Sequence, residues 1–181
     1  MLQDFINKWN GKYIDILKPG KNCFDVVAQW TNDLGIPHYP NNPTPFPYQY
    51  AYQIYLNFTN WQAQYFDRIA NELFNSPKAG DIVVYKPGFN DGEGDVVIAT
   101  GNNSFFTFGA FGQNYPLGGP CSIRSCNYGY LRSNGIYGWL HPKVLDPLTP
   151  DQKITKVIAV LNTSGTTDTD KVQKIRQILG V

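Results

Sequence analysis

Apolar positions near the start of the chain recur with the period of amphipathic helices. They are Leu2, Phe5, Ile6 and Trp9 in a first run and Phe24, Val27, Trp30 and Leu34 in a second. Spacings of three and four residues place each set on one helix face. Asn10-Gly11 ends the first run and Gly35 ends the second, so we predict helices over residues 2–9 and from Cys23 to residue 34.

The segment that follows changes character twice. Repeated prolines together with Asn41-Asn42 exclude regular structure from His38 to Tyr48. A helical pattern then returns from Trp61 to Phe74, with Asn60 in position to act as its N-cap. We interpret this stretch as a third helix.

Beyond Pro77, short apolar runs alternate with Gly, Asn and Pro turns. The runs are residues 81–85 (DIVVY), 95–99 (DVVIA), 105–108 (FFTF) and 136–140 (IYGWL). Such runs, bounded by turn formers, predict short strands. Because the helices precede the strands instead of alternating with them, the pattern favours an α+β fold with an antiparallel sheet.

The end of the chain returns to a helical pattern. After a linker over residues 142–150, Thr149-Pro150 supplies an N-cap and a proline at the first helical position. Two apolar stripes follow, at Ile154, Val157, Ile158 and Leu161 and at Val172, Ile175 and Leu179. We therefore predict a domain over residues 1–145 and a linker with a helical hairpin over residues 146–181, packed on the sheet, on another copy or on a longer partner.

Composition narrows the classes of function. The 181 residues carry a formal net charge of +1, so no overall field draws the chain to nucleic acid or to an anionic membrane. A hydrophobic fraction of 42% suffices for an ordinary core. Because the sequence has neither a basic and apolar leader nor a run of about 18 apolar residues, we expect no signal peptide and no membrane insertion.

The three cysteines, Cys23, Cys121 and Cys126, lack metal-binding spacing. We expect no metal and no cofactor. Cys121 and Cys126 either pair across a tight turn or remain free thiols in a loop, and we favour free thiols. Cys23 at a helix N-terminus is either a small buried apolar side chain or a nucleophile whose thiolate form the helix dipole favours.

Five short motifs follow one another along the chain. They are residues 22–25 (NCFD), 77–84 (PKAGDIVV), 94–98 (GDVVI), 113–115 (QNY) and 138–142 (GWLHP). In this order they resemble the Gln-Cys-x-Asp, Pro-x-x-Gly-Asp-Ile-Val-Val, Gly-His-Val-Ala-Ile, Glu-Gln-Asn-Trp and Gly-Trp-x-x-Pro motifs of CHAP domains. These are papain-like cysteine amidohydrolases of phage endolysins and bacterial cell-wall hydrolases. The resemblance covers roughly residues 2–145 and implies a papain-like fold.

The resemblance also implies a reaction. CHAP domains use a cysteine thiolate to attack an amide bond of peptidoglycan, a histidine as base and then acid, and a polar residue that orients the ring. By position, Cys23 is the nucleophile and Asn114 the orienting residue. Asp95 occupies the position of the histidine and Gly112 that of a glutamate, so this chain departs from the family at both places.

The departure at Asp95 changes the chemistry. A carboxyl group with a reference pKa of about 3.9 cannot form the cation that stabilises a thiolate, whose parent thiol has a pKa of about 8.5. We therefore expect Asp95 to raise the Cys23 pKa, although outside the motif it would be an ordinary turn residue. His38 follows the far end of the Cys23 helix, roughly 18 Å away. His141 lies in the closing motif, so neither histidine is well placed as a substitute base.

Aromatic residues supply the candidate substrate-binding surface. Tyr115 and Trp139, together with Tyr128 and Tyr130, either line a cleft beside Cys23 or pack in the core. Nearby, Asp25 is either a solvated carboxylate of the first helical turn or a partner of the preceding loop. That loop is too basic and too poor in oxygen ligands to predict a calcium site.

Two functions from different classes remain open. One is a catalytically impaired CHAP-like protein, phage-derived, with a binding or structural role in a virion or lysis apparatus. The other is an active peptidoglycan amidase or endopeptidase that uses Cys23 with an unrecognised base. The chain could also be a fragment of a larger tail or lysin protein. The expected partner is peptidoglycan or another virion or lysis protein, with self-association through residues 149–181 as an option, and the expected location is the host cytoplasm or the virion.

Overall fold

The computed structural model describes residues 1–17, 22–40, 42, 50–88, 92–129, 135–163, 165 and 167–180. Residues 18–21 of the predicted loop before Cys23, the proline-rich residues 43–49 and Tyr130 lie outside the described residues. The chain divides into two compact units, Met1–Leu145 and Asp146–Val181.

Both predicted N-terminal helices are confirmed. Helix α1 spans Leu2–Trp9, and helix α2 spans Cys23–Asp33. Their apolar stripes face the core, and Trp30 of α2 is fully buried. The Trp30 indole N–H donates a hydrogen bond to the carbonyl oxygen of Gly80 at 3.0 Å. This bond ties α2 to the loop that leads into the sheet.

The prediction of a third helix over Trp61–Phe74 is wrong. After a short helix α3 at Gln53–Leu56, only Gln62–Tyr65 is helical, as α4, and Trp61 takes the N-cap position predicted for Asn60. Residues 66–70 form a strand that pairs with the last strand of the sheet. Hydrogen bonding and burial against that distant neighbour outweigh a local helical pattern, since strand formation depends strongly on tertiary context.

In the part of the chain that the structure describes, the sheet has six strands. They are β1 Phe66–Ala70, β2 Ile82–Tyr85, β3 Val96–Asn103, β4 Thr107–Gly112, β5 Ser122–Asn127 and β6 Ile136–Pro142. Their order is β1-β6-β2-β3-β4-β5, and every pairing is antiparallel. The predicted α+β class with an antiparallel sheet is confirmed.

Two details of the sheet differ from the predictions. Strand β4 begins at Thr107, because Phe105 and Phe106 lie in the preceding turn with exposed rings. The segment that ends at Cys126, predicted to be a loop, forms most of β5, because it pairs along its length with β4. Cys121 and Cys126 are free thiols, as predicted.

Alternation along the central strands separates the core into two clusters. Val84, Val96, Ile98 and Phe111 pack in the cluster that includes α2, whereas Val83, Val97, Ala99 and Ala110 pack in the other. Successive side chains of a strand point to opposite faces, so the middle of the sheet is buried on both sides. Helix α2 packs against β3, which brings the start of the helix to the start of that strand.

The second unit is the predicted helical hairpin. Helix α5 spans Pro150–Leu161 and helix α6 spans Asp168–Leu179. Each begins with a capping box, from Thr149 in α5 and Thr167 in α6, which explains why two short helices start where they do. Within the described parts of the chain, no helix is long and apolar enough to cross a membrane.

Candidate functional site

Cys23 is the first residue of α2, and its neighbours fix the start of the helix. The Asn22 side chain accepts a hydrogen bond from the backbone N–H of Phe24 at 2.8 Å. The Asp25 carboxylate accepts one from the N–H of Asn22 at 2.9 Å, which completes a capping box. This reciprocal arrangement satisfies N–H groups that a helix N-terminus otherwise leaves unpaired.

Asp25 is the partner of the preceding loop rather than a solvated carboxylate. Its side chain is fully buried and also accepts hydrogen bonds from the N–H groups of Ile16 at 3.0 Å and Leu17 at 2.8 Å. Burial raises the pKa of this carboxyl group, and the backbone N–H groups partly offset that effect. Asp25 therefore anchors the segment before Cys23 and does not reach toward the thiol as a base.

Gln113, a motif residue to which the sequence assigned no role, holds the same region from the other side. Its amide exchanges hydrogen bonds with the backbone of Ile14, accepting at 2.7 Å and donating at 2.9 Å. It also donates to the carbonyl oxygen of Asn22 at 3.1 Å. The side chain is fully buried, so this residue joins the end of β4 to the residue that precedes Cys23.

The Cys23 thiol faces the carboxyl group of Asp95. Asp95 lies directly before β3 and is buried, as is Cys23. The two side chains form a hydrogen bond, and the negative charge of Asp95 acts on the thiol. The packing of α2 on β3 thus brings together the two residues that the motif order placed at the nucleophile and base positions.

Asp95 also forms a buried ion pair with Arg124, a residue that sequence reasoning missed. The Arg124 Nη2 atom lies 2.7 Å from Asp95 Oδ2, and the side chains of Arg124 and Asp95 are only 12% and 5% exposed. Arg124 sits on β5 opposite Ala110. Its guanidinium carbon lies 4.5 Å from the centroid of the Tyr115 ring, a cation–π geometry.

Gly112 leaves space beside this ion pair. A Cβ atom at Gly112 would lie 3.6 Å from Arg124 Nη2, in ordinary contact, and 2.9 Å from Val97 Cγ1, which is too close without a shift. A side chain at this position would therefore start next to the guanidinium group, and Val97 would have to give way. Glycine at residue 112 is consistent with Arg124 reaching Asp95.

The pKa of the Cys23 thiol is raised well above its ordinary value. Burial is the largest cause, and the charge of Asp95 is the next. Burial also raises the pKa of Asp95, an effect that the Arg124 charge and the Cys23 hydrogen bond partly offset. A neutral thiol is a poor nucleophile, so the site holds its sulfur in the less reactive form.

We expect alkylation of Cys23 to require unusually high pH. The rate measured by mass spectrometry of the Cys23 peptide should rise with a midpoint above about 8.5, the value for free cysteine, because only the thiolate reacts. Asp95→Asn should move the midpoint downward, since it removes the neighbouring carboxylate. A midpoint near pH ~6 in the unmodified chain would reveal a cationic partner and contradict this prediction.

Comparison with known proteins gives a structural likeness to a solved endolysin. No protein-family model matches the chain, and no curated protein matches it. The solved structure described as "Crystal structure of a wild type endolysin LysIME-EF1" superposes with a TM-score of 0.57 and 24% sequence identity, covering 78% of this chain and 63% of that one. The chain shares the fold of this endolysin. The likeness establishes the fold alone, and the CHAP motifs and the roles of Cys23 and Asp95 remain predictions.

The other predicted site residues lie in different environments within this endolysin-like fold. The Asn114 side chain accepts a hydrogen bond from the N–H of Gly118 at 2.6 Å, and its backbone has a positive φ of 69°. It therefore closes a local turn after β4. Tyr115 is 52% exposed beside Arg124, whereas Trp139 is 2% exposed and packs in the core. Trp139 thus offers almost no surface to a substrate, and the core explains its aromatic ring.

Both histidines of the chain are engaged elsewhere. His38 is exposed and its Nε2 atom lies 2.7 Å from Asn32 Oδ1. His141 is buried, with Nδ1 lying 2.6 Å from Asp81 Oδ1. Neither of these hydrogen bonds involves Cys23. Among the described residues, no group of three or more His, Cys, Asp or Glu side chains is arranged to hold a metal ion.

Proposed function

We propose that this protein is a phage-derived CHAP-like relative of cell-wall hydrolases that binds peptidoglycan without cleaving it. The observation that carries the proposal is the partner of Cys23. The group that faces the thiol is the Asp95 carboxylate, which Arg124 holds in a buried ion pair. A structural or binding role in a virion or lysis apparatus is consistent with such a site.

The arrangement lacks the two proton-transfer functions of a thiol hydrolase. Attack on an amide needs a thiolate, and departure of the amine needs a proton donor. Asp95 raises the thiol pKa, and a carboxyl group cannot form the cation with which a histidine stabilises the thiolate and then supplies a proton to the amine. With His38 and His141 bonded to other residues, these observations support a catalytically impaired site.

The rim of the site retains features suited to binding. Tyr115 presents half of its side chain to solvent, and stacking on the Arg124 guanidinium restrains its position. Aromatic rings and arginine are the side chains that contribute most often to binding energy at recognition surfaces. The peptide part of peptidoglycan, which CHAP domains cleave, is therefore the expected occupant.

Incubation with purified peptidoglycan tests both parts of the proposal. The unmodified chain should co-sediment with cell walls while the turbidity of the suspension and the free amine content stay constant. Tyr115→Ala should weaken binding by about tenfold, as loss of an aromatic anchor does. Phe106→Ala is a matched control, since that exposed ring lies at the opposite end of β4, about 20 Å away along the strand.

Two results would count against this function. Cleavage by the unmodified chain that disappears in Cys23→Ala would show an active amidase or endopeptidase with a base other than histidine. Absence of binding to walls of several peptidoglycan types would favour another virion or lysis protein as the partner.

A further inference from the structure

The helical hairpin carries an apolar face that no described residue of the hairpin covers. The side chains of Ile154, Ile158, Leu161, Val172 and Leu179 are between 44% and 59% exposed. Neither α5 nor α6 contains a buried residue. We call these five residues the hairpin face.

The hairpin face is distinct from the seam that joins the two helices. The half-buried apolar residues of the seam are Val157 and Val160 on α5 and Ile175 and Ile178 on α6. The helices run antiparallel, because Lys153 Nζ donates to the carbonyl oxygen of Leu179 at 3.3 Å and Lys171 Nζ to that of Leu161 at 3.1 Å.

The five residues of the hairpin face lie on one side of the hairpin. Ile158, Leu161 and Leu179 each follow a seam residue by one position, a rotation of about 100°. Ile154 and Val172 follow the half-buried Lys153 and Lys171 in the same way. The same rotation on two antiparallel helices turns both sets toward the same side. The outcome is one continuous apolar surface rather than two separate stripes.

We propose that this face binds the same face of a second copy of the chain, forming an antiparallel four-helix dimer. The positions of the charged residues on α6 favour such a pairing. Asp168 precedes Val172 by four residues and Arg176 follows it by four, and both charged residues are exposed. When Val172 meets Val172 of the second copy across a two-fold axis, each Asp168 lies opposite an Arg176.

The positions of apolar residues on α5 agree with the same two-fold axis. The backbone carbonyl contacts of Lys153 and Lys171 place residues 159 and 160 of α5 level with Val172 of α6. A two-fold axis at that level brings Ile158 opposite Leu161 of the second copy. Apolar contact at both helices and paired opposite charges at α6 are features of antiparallel four-helix bundles. This inference concerns the hairpin and does not depend on the proposed function of the Cys23 site.

Sedimentation velocity of the full 181-residue chain over a range of micromolar concentrations tests the proposal. The unmodified chain should be a dimer, and Ile158→Lys should be a monomer, because it places two ammonium groups in the apolar interface. Gln177→Lys is the matched control and should remain a dimer, since Gln177 is exposed on the side of α6 away from the hairpin face.

Charge reversal tests the register, and far-UV circular dichroism of each variant checks that α6 stays helical, because Asp168 and Arg176 also complement the helix dipole. Asp168→Arg and Arg176→Asp should each weaken dimerisation by about tenfold, because each places like charges opposite one another. The double variant Asp168→Arg with Arg176→Asp should restore the original affinity. A monomeric unmodified chain, a dimer that survives Ile158→Lys, or a double variant no tighter than the single variants would overturn the proposal.

Discussion

Asp95→Ala is expected to lower the free energy of unfolding by about 3–5 kcal/mol, the usual cost of removing one member of a buried ion pair. The cost arises because Arg124 would stay buried without its counter-ion, not because the pair itself is strongly attractive. Arg124→Met should lower the free energy of unfolding by less. Without Arg124, the buried Asp95 can bind a proton and become neutral, whereas arginine cannot lose its charge. Urea unfolding followed by tryptophan fluorescence measures both changes.

The double variant Asp95→Ala with Arg124→Met separates pairing from packing. Replacing a buried ion pair by apolar side chains is often neutral or stabilising, so the double variant should be more stable than Asp95→Ala alone. The exposed pair between Asp67 and Lys143, at 3.3 Å, provides the control, because Asp67→Ala should change stability by less than about 1 kcal/mol. Equal effects of Asp95→Ala and Asp67→Ala would show that the buried pair is not formed in solution.

Local sequence signals predicted the elements whose ends and faces are encoded nearby. The stripe around Trp30 predicted α2, and the Thr149 cap with the two apolar stripes predicted the hairpin. The structure adds caps at Asn22 and Thr167. These elements are where the patterns placed them. The helix prediction for residues 66–70 was wrong because their conformation depends on pairing with β6. That strand lies far along the chain, so the pairing has no local sequence signal.

Only those residues of the candidate site that lie in the five motifs were predicted from the sequence. The order of motifs placed Cys23 and Asp95 together, and the structure brings them into contact. Arg124 was missed because its partner depends on the register of β5 against β4, and a segment between two cysteines resembled a loop. The available signal was the alternation of Arg124 with outward-facing residues, which is typical of a strand. An inward-facing arginine would then have indicated an acidic partner, since a buried charge needs one.

Arg124 also changes how activity could be restored. In Asp95→His, the new imidazole would lie beside an arginine that has lost its carboxylate, and that positive charge disfavours the imidazolium ion. Asp95→His alone should therefore be destabilised and nearly inactive. Gly112→Glu introduces a carboxylate that starts 3.6 Å from Arg124 Nη2, so it can neutralise Arg124 and orient the new ring.

Space for that glutamate has to come from Val97. The Cβ atom at residue 112 would lie 2.9 Å from Val97 Cγ1, a contact that Val97→Ala removes at the modest cost of deleting two methyl groups. We therefore expect Asp95→His with Gly112→Glu and Val97→Ala to release amines from peptidoglycan faster than the unmodified chain by about 10²–10⁴-fold, the usual contribution of general acid–base catalysis. Adding Cys23→Ala to the triple variant should abolish the gain, because the nucleophile and its base act as a unit. Should the triple variant fold, bind cell walls and still release nothing, the partner of Cys23 would not be what withholds catalysis, and the substitution at Asp95 would have to be explained by stability alone.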